Sequence, residues 1–241
     1  IKNSKLAAPE DTAEKIEHDD DKKFSSSKNS AIKINNKIPE VIDIFKKSEN
    51  FTHFLNNGLQ ELNQIMSGYN VKLPEIHADN YDNIRNQAIN FTLKGQIDRP
   101  KVFKLVDRIY EELQRAFYPN AKFNTNQIEI TMLLFANFNA CTVFTPKKQI
   151  LLSMDKIRDS ELERILVHEL THLMTCEYWC AANLPRRHIN YFNEGLAVYL
   201  TSKILGITLQ ESLNVSSRQY EFFNKNKSSI LNWTKCYLEG N

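Results

Sequence analysis

The sequence contains no long apolar run. Its longest candidate, residues 128–144, is interrupted by Glu129, Asn137 and Asn139, whereas a membrane-spanning helix needs roughly 18 predominantly apolar residues. We therefore expect no transmembrane segment. A hydrophobic signal core is also missing, and the chain begins at Ile1 rather than Met. We interpret the chain as a processed form or a fragment, and we expect a secreted or extracytoplasmic protein.

An excess of charge of either sign is lacking as well. The 31 Lys and Arg residues nearly balance the 29 Asp and Glu residues, which leaves a net charge of +2. This balance gives no support for nucleic acid or an anionic membrane surface as a required partner. The length of 241 residues allows one domain of ordinary size, or two.

Cysteines are few, and none forms the Cys-x-x-Cys pair that is typical of structural zinc sites. The four are Cys141, Cys176, Cys180 and Cys236. An even number permits disulfides without requiring them. Cys176 and Cys180 lie four residues apart, and we interpret them as ordinary buried cysteines rather than as a second metal site.

The chain divides by composition into three regions. Residues 1–37 are rich in lysine, aspartate and serine, and such a segment buries too little apolar surface to offset its ordering entropy. We predict a disordered tail or linker there, and a pro-segment is the alternative. Residues 38–95 have a helical pattern with a break near 48–50. They form either a small helical subdomain or helices packed on the third region, residues 96–241.

The third region changes its period along the chain. Pro100 precedes apolar residues at three- and four-residue spacing, which predicts a helix over 100–117. Strand patterns follow at 127–135, 141–144 and 149–154, and further helices are predicted from residue 160 onward. This order predicts an α+β fold.

The most informative motif is His168-Glu169-Leu170-Thr171-His172. Residues four apart lie on one face of a helix, so His168 and His172 can direct two imidazole nitrogens at one metal ion. Glu169 lies about 100° further round the helix. It can flank the metal as a general base without being a ligand.

The surroundings of this motif indicate a buried helix. Residues 160–163 match a capping box that opens it. Apolar side chains then cover most of its sides; they are Leu162, Ile165, Leu166, Val167, Leu170 and Leu173. Buried histidines and a buried glutamate need partners, and a metal ion would satisfy them together.

A second segment, Asn193-Glu194-Gly195-Leu196-Ala197, supplies a third ligand. We predict that Asn193 is the N-cap of a helix that runs to Leu205 and ends at Gly206. Glu194 would then lie in the first turn, where the helix dipole favours an acidic side chain. Two histidines and one carboxylate leave a fourth position for water on a catalytic zinc.

These segments, together with Leu184-Pro185 and Val198-Tyr199-Leu200, resemble the gluzincin metallopeptidases, and most closely the peptidase-MA-like branch. The resemblance covers roughly residues 100–205. It implies a zincin-like metallopeptidase domain, with a small mixed sheet, an active-site helix and a glutamate helix. It further implies that His168, His172 and Glu194 bind one zinc ion. Glu169 would be the catalytic base, acting on a peptide or protein substrate.

The sequence departs from the gluzincin pattern at one position. Thermolysin-like relatives carry an aspartate four residues after the glutamate, where this chain has Val198, so other residues must orient the ligands. The family also commonly has a downstream side chain that stabilises the oxyanion. Three residues are candidates for it, and a plain surface or packing role is the alternative for each. They are Tyr220, His188 and Tyr191.

The resemblance also suggests where a substrate would lie. Residues 150–154 would be the sheet edge above the cleft, which can hold an extended peptide by backbone hydrogen bonds. The alternative is a plain core strand.

We therefore expect a zinc-dependent metalloendopeptidase. Three alternatives stay open: an aminopeptidase on the same site, a zinc-binding domain without turnover, and a highly specific effector protease or one held inactive by its N-terminal region.

Overall fold

The computed structural model describes residues 32–94, 99–117, 128–144, 148–181, 186–226 and 228. Within these ranges, the side chains of residues 92–94, 99, 117, 176–181, 186–192 and 223 lie outside the description. Of the tail expected over residues 1–37, residues 1–31 lie outside the description.

The described residues form a mixed α+β structure. Its first half contains β1 (Ile32–Asn36), α1 (Ile38–Lys47), α2 (Phe51–His53), a π-helical turn (Phe54–Gly58), α3 (Leu59–Ser67), α4 (Ala78–Lys94) and α5 (Arg99–Phe117). Its second half contains β2 (Ile128–Leu133), β3 (Ala140–Val143), β4 (Gln149–Ser153), α6 (Asp159–Ala181), α7 (Arg186–Leu205), α8 (Leu209–Leu213) and α9 (Ser217–Lys225). No described helix is both long enough and apolar enough to cross a membrane.

The described strands form one small sheet in the order β1-β2-β4-β3. Strands β1, β2 and β4 run parallel, and β3 runs antiparallel to β4. Every residue of β4 is buried, whereas β3 is half-buried. Of the two interpretations of residues 150–154, the core strand is therefore confirmed, because a strand between two neighbours suits an uninterrupted apolar run. The edge strands of the described sheet are β1 and β3.

Strand β1 is the element that the sequence analysis missed. Residues 32–36 were assigned to the tail, but they pair with β2 in register, from Ile32 opposite Ile128 to Asn36 opposite Met132. The alternation of Ile32 and Ile34 with Lys33 and Asn35 spans too few residues to stand out beside a charge-rich segment. The strand forms because β2, which is buried along its whole length, needs a hydrogen-bonding partner on that side.

Helices α1 to α4 pack around a cluster of aromatic side chains. Phe45 of α1 stacks on Phe54 with ring centroids 5.4 Å apart, and both rings contact Tyr81 of α4. Phe45 also meets Phe135, which follows β2, with centroids 5.7 Å apart. The helices thus share one hydrophobic core with the sheet, and they lie in the same compact unit, Ala31–Asn241.

Helix α6 is central to the fold, as its apolar sequence predicts. Leu162, Leu166, Val167 and Leu170 are fully buried. The expected capping box at 160–163 is not formed, because α6 begins at Asp159 and Ser160 therefore lies inside the helix rather than at its N-cap. Glu163 pairs with Arg108 of α5 instead. Helix α5 therefore lies against α6.

Candidate metal centre

Two neighbouring helices supply the residues of the centre. Helix α6 carries His168 and His172 one turn apart, and α7 brings Glu194 beside them. The ligand atoms of these three residues lie within 4.8 Å of one another, and among the described residues no other group of three or more His, Cys, Asp or Glu side chains has such a geometry. The structure thus brings together the three predicted ligands.

The distances within the triad are short and similar. The two Nε2 atoms of His168 and His172 are 3.0 Å apart. Glu194 places Oε2 3.3 Å from Nε2 of His168 and Oε1 3.4 Å from Nε2 of His172. The imidazole rings are nearly perpendicular, at 88°, so both Nε2 atoms point into the same small volume.

The three side chains of the triad differ in their exposure to solvent. The side chain of His172 is 8% exposed, that of His168 is 23% exposed and that of Glu194 is 65% exposed. One side of the centre is therefore built into the protein and the other is open to solvent. Such an arrangement fixes the ligands while it leaves room for a further ligand from solution.

The charges of the triad favour an anionic carboxylate. Hydrogen bonds from His168 and His172, and then the charges of these rings, hold the pKa of the Glu194 carboxyl well below its ordinary range, although partial burial acts in the opposite direction.

The pKa of His172 moves the other way. Burial lowers it, but the hydrogen bond and the charge of Glu194 outweigh that effect. Smaller contributions from the charge of Glu169 and from Asn193 add to them, so the pKa is raised above its ordinary 6.5.

The geometry fits a small divalent cation. Two ligand atoms that each lie 2.0–2.1 Å from a tetrahedral zinc ion are separated by about 3.3 Å, and the separations in the triad are 3.0, 3.3 and 3.4 Å. Two imidazole nitrogens and a carboxylate oxygen are also the donors that zinc prefers. The triad could therefore hold a metal ion.

Glu169 lies next to the triad without being part of it. It is buried, with 9% of the residue exposed. The hydroxyl of Thr142 on β3 donates to Glu169 Oε2 over 2.7 Å and lies 3.0 Å from the backbone carbonyl oxygen of the same residue. Sequence reasoning did not identify Thr142, because nothing in the local pattern shows that β3 faces this turn of α6.

Asn193 has a different place from the one predicted. Helix α7 begins at Arg186, so Asn193 lies about two turns inside the helix rather than at its N-cap. Glu194 accordingly lies outside the first turn, and the predicted help from the helix dipole is wrong, because that effect fades beyond the first turn. The predicted end of the helix is confirmed: α7 stops at Leu205, and Gly206 follows with a positive φ of 64°.

Asn193 instead links the two helices of the centre. Its Oδ1 accepts a hydrogen bond of 2.7 Å from the hydroxyl of Thr175 on α6, and it contributes to raising the pKa of His172. Asn193 thus connects Thr175 to the ligand His172. Val198 has no polar group with which to orient a ligand. A polar side chain in a helix interior is unremarkable when it has such a partner.

The remaining candidates divide by what the structure describes. Tyr220 lies half-buried on α9, and its role toward an oxyanion stays a prediction. The side chains of His188 and Tyr191 lie outside the description, as do those of Cys176, Cys180 and Cys236.

Cys141 is a free thiol on β3. Burial, and secondly the charge of Glu169, raise its pKa to about 11. It therefore stays protonated at neutral pH, as expected of an ordinary half-buried cysteine.

Comparisons with known proteins identify no relative of this chain. No protein-family model matches it. No curated protein and no solved structure matches it either.

Proposed function

We propose that the protein is a zinc-dependent metalloendopeptidase with a zincin-like fold of the gluzincin type. One observation carries the proposal: three ligand side chains converge, and a fourth acidic side chain lies beside them in a position suited to a base. His168, His172 and Glu194 supply the ligands. Glu169, the next residue after the first ligand, is buried and held by Thr142.

The division of roles follows from the positions of the side chains. A bound zinc ion would lower the pKa of water and polarise the carbonyl of the substrate. His168, His172 and Glu194 would hold it and leave its solvent side open. Glu169 would take a proton from the attacking water and deliver it to the nitrogen of the leaving amine. A buried carboxylate outside the ligand set has no evident use in a purely structural zinc site.

The sheet edge supports an extended substrate. The amide of Ser153 donates to the carbonyl of Asn139, so these residues form a hydrogen-bonded antiparallel pair. The register then makes Thr142 and Ile150 a non-hydrogen-bonded pair, in which the backbone groups of Thr142 point away from β4. No other described strand pairs with this side of β3. A peptide strand can pair there without needing a free terminus, which favours an endopeptidase.

The test uses purified wild-type protein, Glu169→Gln and the matched control Glu161→Gln, which changes another glutamate of α6. Each is incubated with a diverse peptide mixture, with and without a chelator, and the products are read by mass spectrometry. We expect cleavage by the wild type and by Glu161→Gln, abolished by the chelator and restored by zinc. Glu169→Gln should be inactive while it retains bound zinc, because the base is not a ligand.

The outcomes distinguish the alternatives. Cleavage that requires a free N-terminus, seen by comparing free with N-acetylated peptides, would indicate an aminopeptidase. Full activity of Glu169→Gln would contradict the assigned base. Zinc binding without cleavage of any peptide would favour a zinc-binding domain without general proteolytic activity, or a protease of narrow specificity.

A further inference from the structure

We propose that Thr142 is a positioning residue that holds Glu169 in the orientation needed for proton transfer. The inference rests on the proposed function, since it assigns Glu169 the role of the base. It concerns a residue that the sequence motifs do not contain, on a strand separate from the helices that carry the ligands.

The contact is specific in its geometry. The Thr142 hydroxyl lies 2.7 Å from Oε2 of Glu169 and 3.0 Å from its backbone carbonyl oxygen. A side chain that contacts both ends of the same residue restricts its rotation about the intervening bonds. Because the hydroxyl engages Oε2, the other carboxylate oxygen is the one assigned to the proton of the attacking water.

A hydroxyl suits both protonation states through which a general base passes. It has one hydrogen to donate and two lone pairs to accept with. When Glu169 is a carboxylate, Thr142 donates to Oε2. When the other oxygen of Glu169 carries the proton, Oε2 is a neutral carbonyl oxygen that still accepts from Thr142, and the hydroxyl can also turn its hydrogen to the backbone carbonyl oxygen 3.0 Å away. Valine has the same shape as threonine and can do neither.

Thr142 also connects the base to the place where a peptide would bind. Its side chain faces Glu169, whereas its backbone N–H and C=O point to the side of β3 that no other described strand pairs with, as the pairing of Asn139 with Ser153 requires. A substrate paired with this strand would therefore be positioned by the same residue that orients the base. The substrate peptide and the Glu169 carboxylate would then both be positioned by Thr142.

The first test measures how much the contact between the Thr142 and Glu169 side chains contributes to stability, without zinc or substrate. Thr142→Val, Glu169→Ala and the double variant are unfolded with urea in the presence of a chelator. We expect Thr142→Val to lower the midpoint in the wild-type background and to lower it less in the Glu169→Ala background, where the hydroxyl can donate only to the backbone carbonyl oxygen of residue 169. Thr131→Val, which removes a buried hydroxyl from β2, should give the same loss in both backgrounds.

The second test measures the catalytic consequence. In the zinc-loaded protein, Thr142→Val should lower kcat by about ten- to a hundredfold, the scale of a small misplacement of a catalytic group. KM and zinc content should be unchanged. Thr142→Ser should restore most of kcat, because it returns the hydroxyl.

Each result bears on the inference. Equal losses for Thr142→Val in both backgrounds would overturn it, whatever the activity of the wild type. An unchanged kcat, or a Thr142→Ser variant as slow as Thr142→Val, would also overturn it. Unequal losses together with an inactive wild type would support the hold on Glu169 while they contradict the proposed function.

Discussion

At the scale of single residues, His172 decides how the centre responds to pH. Its pKa is raised above 6.5, because the effects of Glu194 outweigh that of burial, and a metal ion binds only the neutral ring. Acidification therefore opposes metal binding, and it does so from a higher pH than for an ordinary histidine. We expect the zinc dissociation constant to be larger at pH 6 than at pH 8, and to rise by up to about tenfold per pH unit for each proton displaced once the pH is below the raised pKa of His172.

Competition with a chromophoric chelator at several pH values measures this dependence. A dissociation constant that is the same at pH 8 and pH 6 would show that no histidine proton competes with the metal.

The hydrogen bond between Thr175 and Asn193 gives a second prediction at this scale. Thr175→Val removes the donor to Asn193 Oδ1, which is 2.7 Å away. Loss of such outer contacts typically lowers metal affinity by about 10- to 100-fold, and we expect a loss in that range. Thr201→Val is the matched control, because this buried threonine of α7 donates to Ala197 of its own helix over 2.7 Å. Equal zinc affinities for the two variants in a competition titration would contradict the role of Thr175.

At the scale of elements, the long helix α6 follows from its sequence. Its apolar residues point in most directions, which a helix tolerates only when it is surrounded. Helix α5 lies on one side, held by the ion pairs of Lys101 with Asp159 and of Arg108 with Glu163. Strand β3 and helix α7 bring Thr142 and Asn193 to other sides. The helix that carries the histidines is thus enclosed on several sides.

The contact between α1 and the π-helical turn gives a prediction for the helical half. A Cβ atom at Gly58 would lie 2.8 Å from Cδ2 of Phe54 and 2.8 Å from Oγ of Ser48. Phe54 is fully buried in the aromatic cluster and cannot move away freely. We expect Gly58→Ala to lower the free energy of unfolding by about 1–3 kcal/mol, as overpacked sites do.

Gly68→Ala is the control for this change. A Cβ there meets nothing nearer than the carbonyl oxygen of Ile65, at 3.5 Å, and φ is −59°, which alanine adopts readily. Stability should stay the same or rise by about 0.4–1 kcal/mol, through the smaller entropy of the unfolded chain. Urea unfolding of both variants measures the difference in stability. Equal stabilities would mean that the space around Gly58, between Phe54 and Ser48, can accommodate a methyl group.

At the scale of the whole molecule, a metal ion would join two helices that are separate in sequence. Because the unfolded chain lacks the preformed site, zinc at about a thousand times its dissociation constant stabilises the folded state by about 4 kcal/mol. For a chain of this size we expect Tm to rise on the order of 10 °C.

Thermal unfolding with zinc or with chelator tests this linkage. The rise should be lost in His172→Ala, which removes a ligand, and kept in Glu169→Gln, which removes only the base. A rise that survives in His172→Ala would place the stabilising metal elsewhere in the molecule.

Most elements could be predicted because their patterns are local. The helix α5 and the strands β2, β3 and β4 lie close to the predicted ranges, and α6 begins one residue before its predicted start. Two features could not be predicted in this way. The start of α7 was predicted at Asn193 because asparagine favours N-caps. Only the hydrogen bond with Thr175 on another helix explains why Asn193 lies in the interior of α7. Strand β1 was missed because its pairing with β2 joins residues 96 positions apart.

The sequence by itself determined the α+β class and the candidate ligands His168, His172 and Glu194. Helical spacing places the histidines together whatever surrounds them, and a run of buried apolar residues indicates a helix inside the protein. Only the tertiary structure decided that β3 rather than β4 lies at the sheet edge, that Thr142 holds Glu169, and that Thr175 and Asn193 link α6 to α7. Those contacts join residues that are distant along the chain, and they depend on how the elements pack rather than on any local pattern.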